Sequence, residues 1–271
     1  MMKIDKDVIA ENDNKALIGS LNQIDKVIAV MSGKGGVGKS TFTALIAASL
    51  ARSGYKVGIL DADITGPSQA RVFGLKPDGL HSTEFGLEPV ITRSGIKMIS
   101  INFLLPNEDD PVIWRGPLLA GAVKQFWEEV DWQDLDYLVV DLPPGTGDVP
   151  LTVLQSIPVD GLVIVSSPQD LALMVVKKAI KMAAKMKVPI LGLVENMSEV
   201  VCSHCGETLK IFGPGQGEKV AAEMNISFLG SLPWDQNLNE HLDTGRVEFY
   251  LSSRADQIME NILAQLPQNQ Q

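Results

Sequence analysis

The chain has 271 residues, of which 45% are hydrophobic, enough to bury one large core. Its 33 acidic and 23 basic residues leave a formal charge of −10, which disfavours non-specific binding to nucleic acid or an anionic membrane. No stretch approaches the roughly 18 uncharged apolar residues of a membrane helix, and the opening residues, with Lys3, Asp5, Lys6 and Asp7, lack an apolar signal core. A cytoplasmic protein with no nucleic-acid or membrane partner is expected.

Residues 1–24 are polar and weakly periodic, so they predict a short tail or leading helix that carries no site, with order expected from Val27. The apolar run Val27–Val30 reads as a strand buried on both faces. It is followed by Gly33-Lys34-Gly35-Gly36-Val37-Gly38-Lys39-Ser40, which satisfies G-x-x-x-x-G-K-[ST], and by a helical pattern, Thr41–Arg52, that stops at Gly54. In that strand–loop–helix setting the glycines let backbone N–H groups curl around an anion, and the helix N-terminus adds its positive end. The segment Gly33 to Thr41 is therefore expected to bind the phosphates of ATP with magnesium. Lys39 should reach the β- and γ-phosphates and Ser40 should ligate the metal.

A second strand, Val57–Leu60, delivers Asp61-Ala62-Asp63 at its carboxyl end. Two alternating segments within Pro89–Ile101, around Arg93-Ser94-Gly95, predict a hairpin inserted near the sheet edge. Leu118–Val130 has helical spacing, and the strand Leu138–Val140 then delivers Asp141-Leu142-Pro143-Pro144-Gly145-Thr146-Gly147-Asp148. Ligands bind at the carboxyl edge of an open parallel sheet, so both acidic clusters should face the loop's phosphates. Asp141 fits the residue that holds magnesium through its water shell, and Asp63 the one that orients or deprotonates the attacking water. Asp61 is either a helper near magnesium or a helix cap. The Pro-Pro-Gly stretch has the character of a switch loop.

Further strands are expected at Leu162–Val165 and Ile190–Val194, with a lysine-edged helix, Leu171–Met186, between them. The alternation predicts an α/β fold: a single domain, residues 25–271, with a doubly wound, mostly parallel sheet flanked by helices and a small hairpin insertion. The stretch Arg254–Leu266 carries Ile258, Ile262 and Leu266 on one side and reads as a packing helix. No internal repeat or linker is visible.

The only cysteines are Cys202 and Cys205, in Cys202-Ser203-His204-Cys205-Gly206. Two thiolates complete neither a tetrahedral metal site nor a four-cysteine cluster site, so two chains must contribute. A symmetric dimer brings four thiolates to its axis, which suits a bridging iron–sulfur cluster. Zinc shared between subunits is the rival, and a redox pair or packed cysteines are further alternatives. His204 reads as solvated or supporting.

Lys34, early in GKGGVGKST, makes the loop resemble the deviant Walker A loop of the Min and Par positioning ATPases, the nitrogenase iron protein and the Mrp/ApbC-type iron–sulfur cluster carriers. The resemblance implies an ATP-sandwich homodimer in which Lys34 reaches the partner's nucleotide. LDADITGPS (Leu60–Ser68), WRGP (Trp114–Pro117), LDYLVVDLPPGTGD (Leu135–Asp148), VENMS (Val194–Ser198), CSHCG (Cys202–Gly206) and FGPGQG (Phe212–Gly217) look like signatures of the carriers, in order. Gln216 departs from the usual glycine. The carrier resemblance implies ATP hydrolysis coupled to holding a [4Fe–4S] cluster through Cys202 and Cys205, received from assembly scaffolds and handed to apo iron–sulfur proteins. It also implies that Asn196 recognises adenine, flanked by Pro233 to Asp235 in an LPWD turn; an Asn that merely satisfies backbone is the alternative. The second functional reading is a regulatory positioning ATPase whose dimer is zinc-bridged or metal-free.

Overall fold

The computed structural model describes residues 22–104, except 64, 65, 67, 77, 78 and 85, and residues 116–267. Strand β1 (Gln23–Ser32) is followed by helix α1 (Lys39–Arg52) and strand β2 (Val57–Asp61). A one-turn helix α2 (Gln69–Val72) precedes the short strands β3 (Ser82–Thr83), β4 (Gly86–Leu87), β5 (Val90–Ile91) and β6 (Lys97–Ser100). Helix α3 (Gly116–Glu129), strand β7 (Asp134–Asp141), helix α4 (Asp148–Ser156), strand β8 (Gly161–Ser166), helix α5 (Asp170–Lys185) and strand β9 (Ile190–Val201) continue the alternation. The last elements are β10 (Thr208–Leu209), α6 (Gly217–Met224), β11 (Phe228–Trp234), α7 (Gln236–Asp243) and α8 (Ser253–Gln265).

Continuous apolar runs make the central strands, because helices cover both faces of the sheet and no residue there needs to face water. Every residue of β2 and β8 is buried, as are the last six of β1. The sheet order is β10-β9-β8-β1-β7-β2-β6-β5, with β11 also on β9. From β1 the chain winds outward through β2 and β6, returns to β7 beside β1, and then crosses to β8 and β9. The direction of winding therefore reverses around β1, and the crevice outside its carboxyl end is the topological switch point where such sheets bind ligands. The doubly wound parallel sheet expected from the sequence is present.

Particular elements differ. Order starts before Val27: Asn22 donates to the Val130 carbonyl at 2.8 Å, and β1 pairs with β7 from Gln23 onward. The early residues of β1 alternate between exposed and partly buried, which disguises them as tail. Residues 1–21 lie outside the described part. The Pro89–Ile101 hairpin does lie at the sheet edge, with Val90 opposite Met98. Its second limb, β6, joins the main sheet by pairing in parallel with β2.

Strand β9 does not stop at Val194 but runs 12 residues to Val201, carrying Glu195 and Asn196 within it. Met197, at φ 55°, kinks it, so that four steps from Asn196 to Val200 face two from Leu232 to Trp234 on β11. The LPWD segment is no turn: Pro233 and Trp234 end β11, and Asp235 caps α7 by accepting from the Asn237 amide at 2.8 Å. Helix α8 buries Ile258, Met259 and Ile262, as a packing helix should.

One close approach ties the chain's halves together. Helix α2 packs against α7, and a Cβ on Gly74 would stand 2.7 Å from the Gly245 carbonyl oxygen, while one on Gly245 would collide with Gly74 Cα. Only hydrogens fit between these two backbones.

Candidate functional site

Register brings the chemistry together. Asp61 at the end of β2 lies opposite both Asp141 on β7 and Ser100 on β6, and Asp141 also lies opposite Val30 on β1. The two aspartates thus share one row at the carboxyl edge, with Val30, three residues before the glycine loop, in the same row. Both aspartates are fully buried, and Asp63, just beyond the strand, is 6% exposed.

The loop enters α1 through Gly38, at φ 89°, a conformation that side-chain-bearing residues resist. A Cβ there would also collide with the Asn196 amide, which sits over the loop and donates to the Val37 carbonyl at 3.0 Å. No side chain caps α1 and no acid occupies its first turn, so its positive end is uncompensated. Above Gly35 and Gly36 the space is open: a Cβ on either would meet nothing within 4 Å. Open backbone N–H groups, a bare helix N-terminus and a lysine make a cradle for a polyphosphate.

Lys39 is 5% exposed, with its ammonium 2.6 Å from Asp141 Oδ1, 3.1 Å from Asp63 Oδ2 and 3.2 Å from Ser40 Oγ. Burial by itself pushes that ammonium's pKa down, but Asp141 and then Asp63 outweigh it and hold the pKa above its ordinary value. Two residues not singled out from the sequence complete the cluster. Thr43 donates to Asp141 Oδ1 at 2.9 Å, and Gln69 donates from Nε2 to Asp141 Oδ2 at 2.8 Å and to the Ser40 carbonyl at 3.0 Å. Helical spacing from Lys39 was a signal for Thr43, which falls on the same face of α1 one turn later; nothing in the sequence marked Gln69.

Asp61 accepts from the Ser100 hydroxyl at 3.0 Å and from the backbone amides of Asp63 and Gln69 at 3.2 and 3.3 Å. Burial, then the charge of Asp141, push its carboxyl up to about 8 against the pull of Lys39. The sign of the consequence is fixed. Below the ordinary carboxylate pKa of about 4, folded and unfolded chains both hold the proton. From there up to about 8 only the folded chain keeps it, so stability falls as pH rises. In EDTA without nucleotide, the wild-type denaturation midpoint is expected to drop between about pH 5 and 8 more steeply than that of Asp61→Asn. Parallel pH profiles for the two proteins would place the proton elsewhere.

Lys34 does not join this cluster; its ammonium is held by Gln169 Oε1, just before α5, and its carbonyl by the Ser32 hydroxyl. Ser40 and Thr41 are partly buried at the start of α1. Of the sequence signatures, Ile64, Thr65, Pro67, Trp114 and Arg115 lie outside the described residues. In FGPGQG, Gln216 and Gly217 donate their amides to Glu195 Oε2 at 2.9 and 2.7 Å, so a buried carboxylate on β9 anchors the start of α6.

The cysteines sit on the tight β9–β10 hairpin, where Gly206 N–H donates to the Cys202 carbonyl at 2.8 Å. Cys202 is partly exposed and Cys205 exposed, and both are free. Backbone N–H groups of Cys205 and His204 favour the Cys202 thiolate and lower its pKa. Among the described residues no group of three or more His, Cys, Asp and Glu side chains is arranged to hold a metal. Pro233 and Asp235 do not border the glycine loop. They line, with Cys202, Ser203 and Trp234, a surface cavity of about 740 Å³.

The model of the NUBPL iron-transfer P-loop NTPases matches residues 23–267. The chain belongs to that family. Among iron-transfer NTPase relatives, the iron–sulfur cluster carrier protein of Methanocaldococcus jannaschii is 44% identical over 262 residues, covering 96% of this chain and 90% of the relative. That of Clostridium perfringens is 48% identical over 236 residues, covering 84% and 83%. A solved nucleotide-binding protein from Archaeoglobus fulgidus, in complex with ADP, superposes with a TM-score of 0.77 at 47% identity, covering 89% of this chain and 94% of that one. The cell division ATPase MinD of Pyrococcus furiosus shares the fold at a TM-score of 0.63 and 21% identity, covering 89% and 99%. Phosphate-loop nucleotide binding belongs to this family.

Proposed function

We propose that this chain is an ATP-hydrolysing iron–sulfur cluster carrier, in which two subunits hold a [4Fe–4S] cluster between them through Cys202 and Cys205 and pass it to apoproteins. The observation that carries the reading is strand β9. At one point its Asn196 is bonded to the phosphate loop, and a few residues on, at roughly 3.3 Å per residue, the same strand ends in the cysteine hairpin. A change at the nucleotide therefore has a short route to the thiols. Relatives named as cluster carriers support the cargo, and a donor set of two thiols per chain supports a shared site.

The residues fit magnesium as well as phosphate. Ser40 offers a hydroxyl at the start of α1, Asp141 a carboxylate beside it, and Gln69 Oε1 is a buried acceptor with no partner among the described residues. In this reading Ser40 ligates the metal, with Asp141 and Asp61 acting through its water shell, and the ion supplies charge neutralisation at the phosphates. Lys39 exchanges its carboxylates for the β- and γ-phosphates. Asp63, relieved of Lys39, orients the attacking water. Lys34 leaves Gln169 and crosses to the partner's nucleotide, so hydrolysis occurs only in the homodimer. Asn196 turns toward adenine; for Pro233 and Asp235 the base-flanking role rests on the resemblance alone.

Asp63→Asn is expected to bind ATP normally and turn it over about a hundredfold more slowly, and Lys34→Ala to bind but not hydrolyse. Steady-state phosphate release with a parallel binding titration measures both. Normal turnover in either protein removes the corresponding role. The reading as a whole is tested by iron and sulfide quantification on anaerobically reconstituted protein, with and without ATP, alongside sedimentation. A brown dimer with equal iron and sulfide is expected; zinc without sulfide, or a monomer under every condition, overturns the bridged cluster.

A further inference from the structure

Gln69 is fully buried, yet one of the two polar atoms of its side chain has no partner among the described residues. Its orientation is not a matter of choice. Nε2 faces Asp141 Oδ2 and the Ser40 carbonyl, and both are acceptors only, so turning the amide over would set oxygen against oxygen at two points. Oε1 is thereby forced to be the free end, and a buried acceptor without a donor costs about 1–3 kcal/mol. Such an atom calls for an explanation by function.

Its position supplies one. Gln69 bridges the backbone of Ser40 and the side chain of Asp141, the two residues that in the proposed function would hold magnesium, one directly and one through its water shell. Magnesium keeps several of its waters when a protein binds it, and each brings protons that need acceptors. Asp141 is also gripped at Oδ1 by Lys39 and Thr43, and when Lys39 turns to the phosphates, Thr43 and Gln69 are the donors left to fix its direction.

We propose that Gln69 is a positioning residue for the nucleotide's magnesium: its Nε2 holds Asp141 in line, and its Oε1 accepts from a water in the metal's shell. The inference rests on the ATP–magnesium reading above and deepens it. Groups that orient metal ligands in this way typically carry about ten- to a hundredfold in metal affinity when removed.

The test is the gain in affinity that magnesium confers on a non-hydrolysable ATP analogue, measured by calorimetry in magnesium and in EDTA. For Gln69→Met and Gln69→Asn the EDTA affinity is expected to stay within about twofold of wild type, while the magnesium gain shrinks about tenfold or more. A purely structural part for Gln69 lowers both affinities together and leaves their ratio at the wild-type value. That result, in either variant that retains a cooperative unfolding transition, overturns the inference and leaves the ATP reading standing. A wild-type chain that gains nothing from magnesium overturns both.

Discussion

Lys39→Ala is expected to abolish nucleotide binding in calorimetry and, separately, to destabilise the protein by about 3–5 kcal/mol, the usual cost of stripping one partner from a buried ion pair. The second effect follows from the count of charges around it. Lys39 faces Asp141 and Asp63 directly and feels Asp61 beyond them, in a site where all four groups are almost wholly removed from water. Adding Asp141→Asn to Lys39→Ala should restore part of the stability while leaving binding absent. Retained nucleotide binding in Lys39→Ala would remove the phosphate-loop assignment itself.

The other large effect is at the far end of β9. Cys202→Ala and Cys205→Ala are each expected to take anaerobically reconstituted protein from about two irons per chain, half of a four-iron cluster, to nearly none. Neither thiol supports the core, since Cys202 is only partly buried and Cys205 is exposed on the hairpin, so stability should shift by no more than about 0.5 kcal/mol. Nucleotide affinity should stay within about twofold. Iron retained in both variants sinks the shared-thiolate site; iron retained in one alone moves the second ligand to another residue.

Local signals made most of this legible in the sequence. The glycine loop with its strand before and helix after, the aspartates at strand ends and the paired cysteines are each written in a few adjacent residues, and the sheet places the loop and the aspartates where the reading of strands implied. Relationships between distant residues were not written there. Gln69 meets Asp141 across 72 residues of chain and Thr43 meets it across 98, contacts that exist only because β7 pairs with β2 on one side and β1 on the other. Glu195 anchoring Gln216 and Gly217 belongs to the same class. The true length of β9 was hidden for another reason: Glu195 and Asn196 are polar residues inside a strand, and the positive φ at Met197 breaks the alternation that marks strands. Both polar residues are there to serve loops outside the sheet.

The contact between Gly74 and Gly245 carries a consequence for how the molecule tolerates change. Gln69 rides on a helix of a single turn, too short to keep its own direction, and its downstream end is wedged against a backbone more than half the chain away in sequence. A methyl group added at Gly245 would push on that wedge and tilt the amide beside Asp141, although the mutated residue touches neither nucleotide nor cysteine. The segment around Gly245 is thus a remote support of the proposed magnesium site, and a substitution there is expected to weaken the same binding that Gln69 serves.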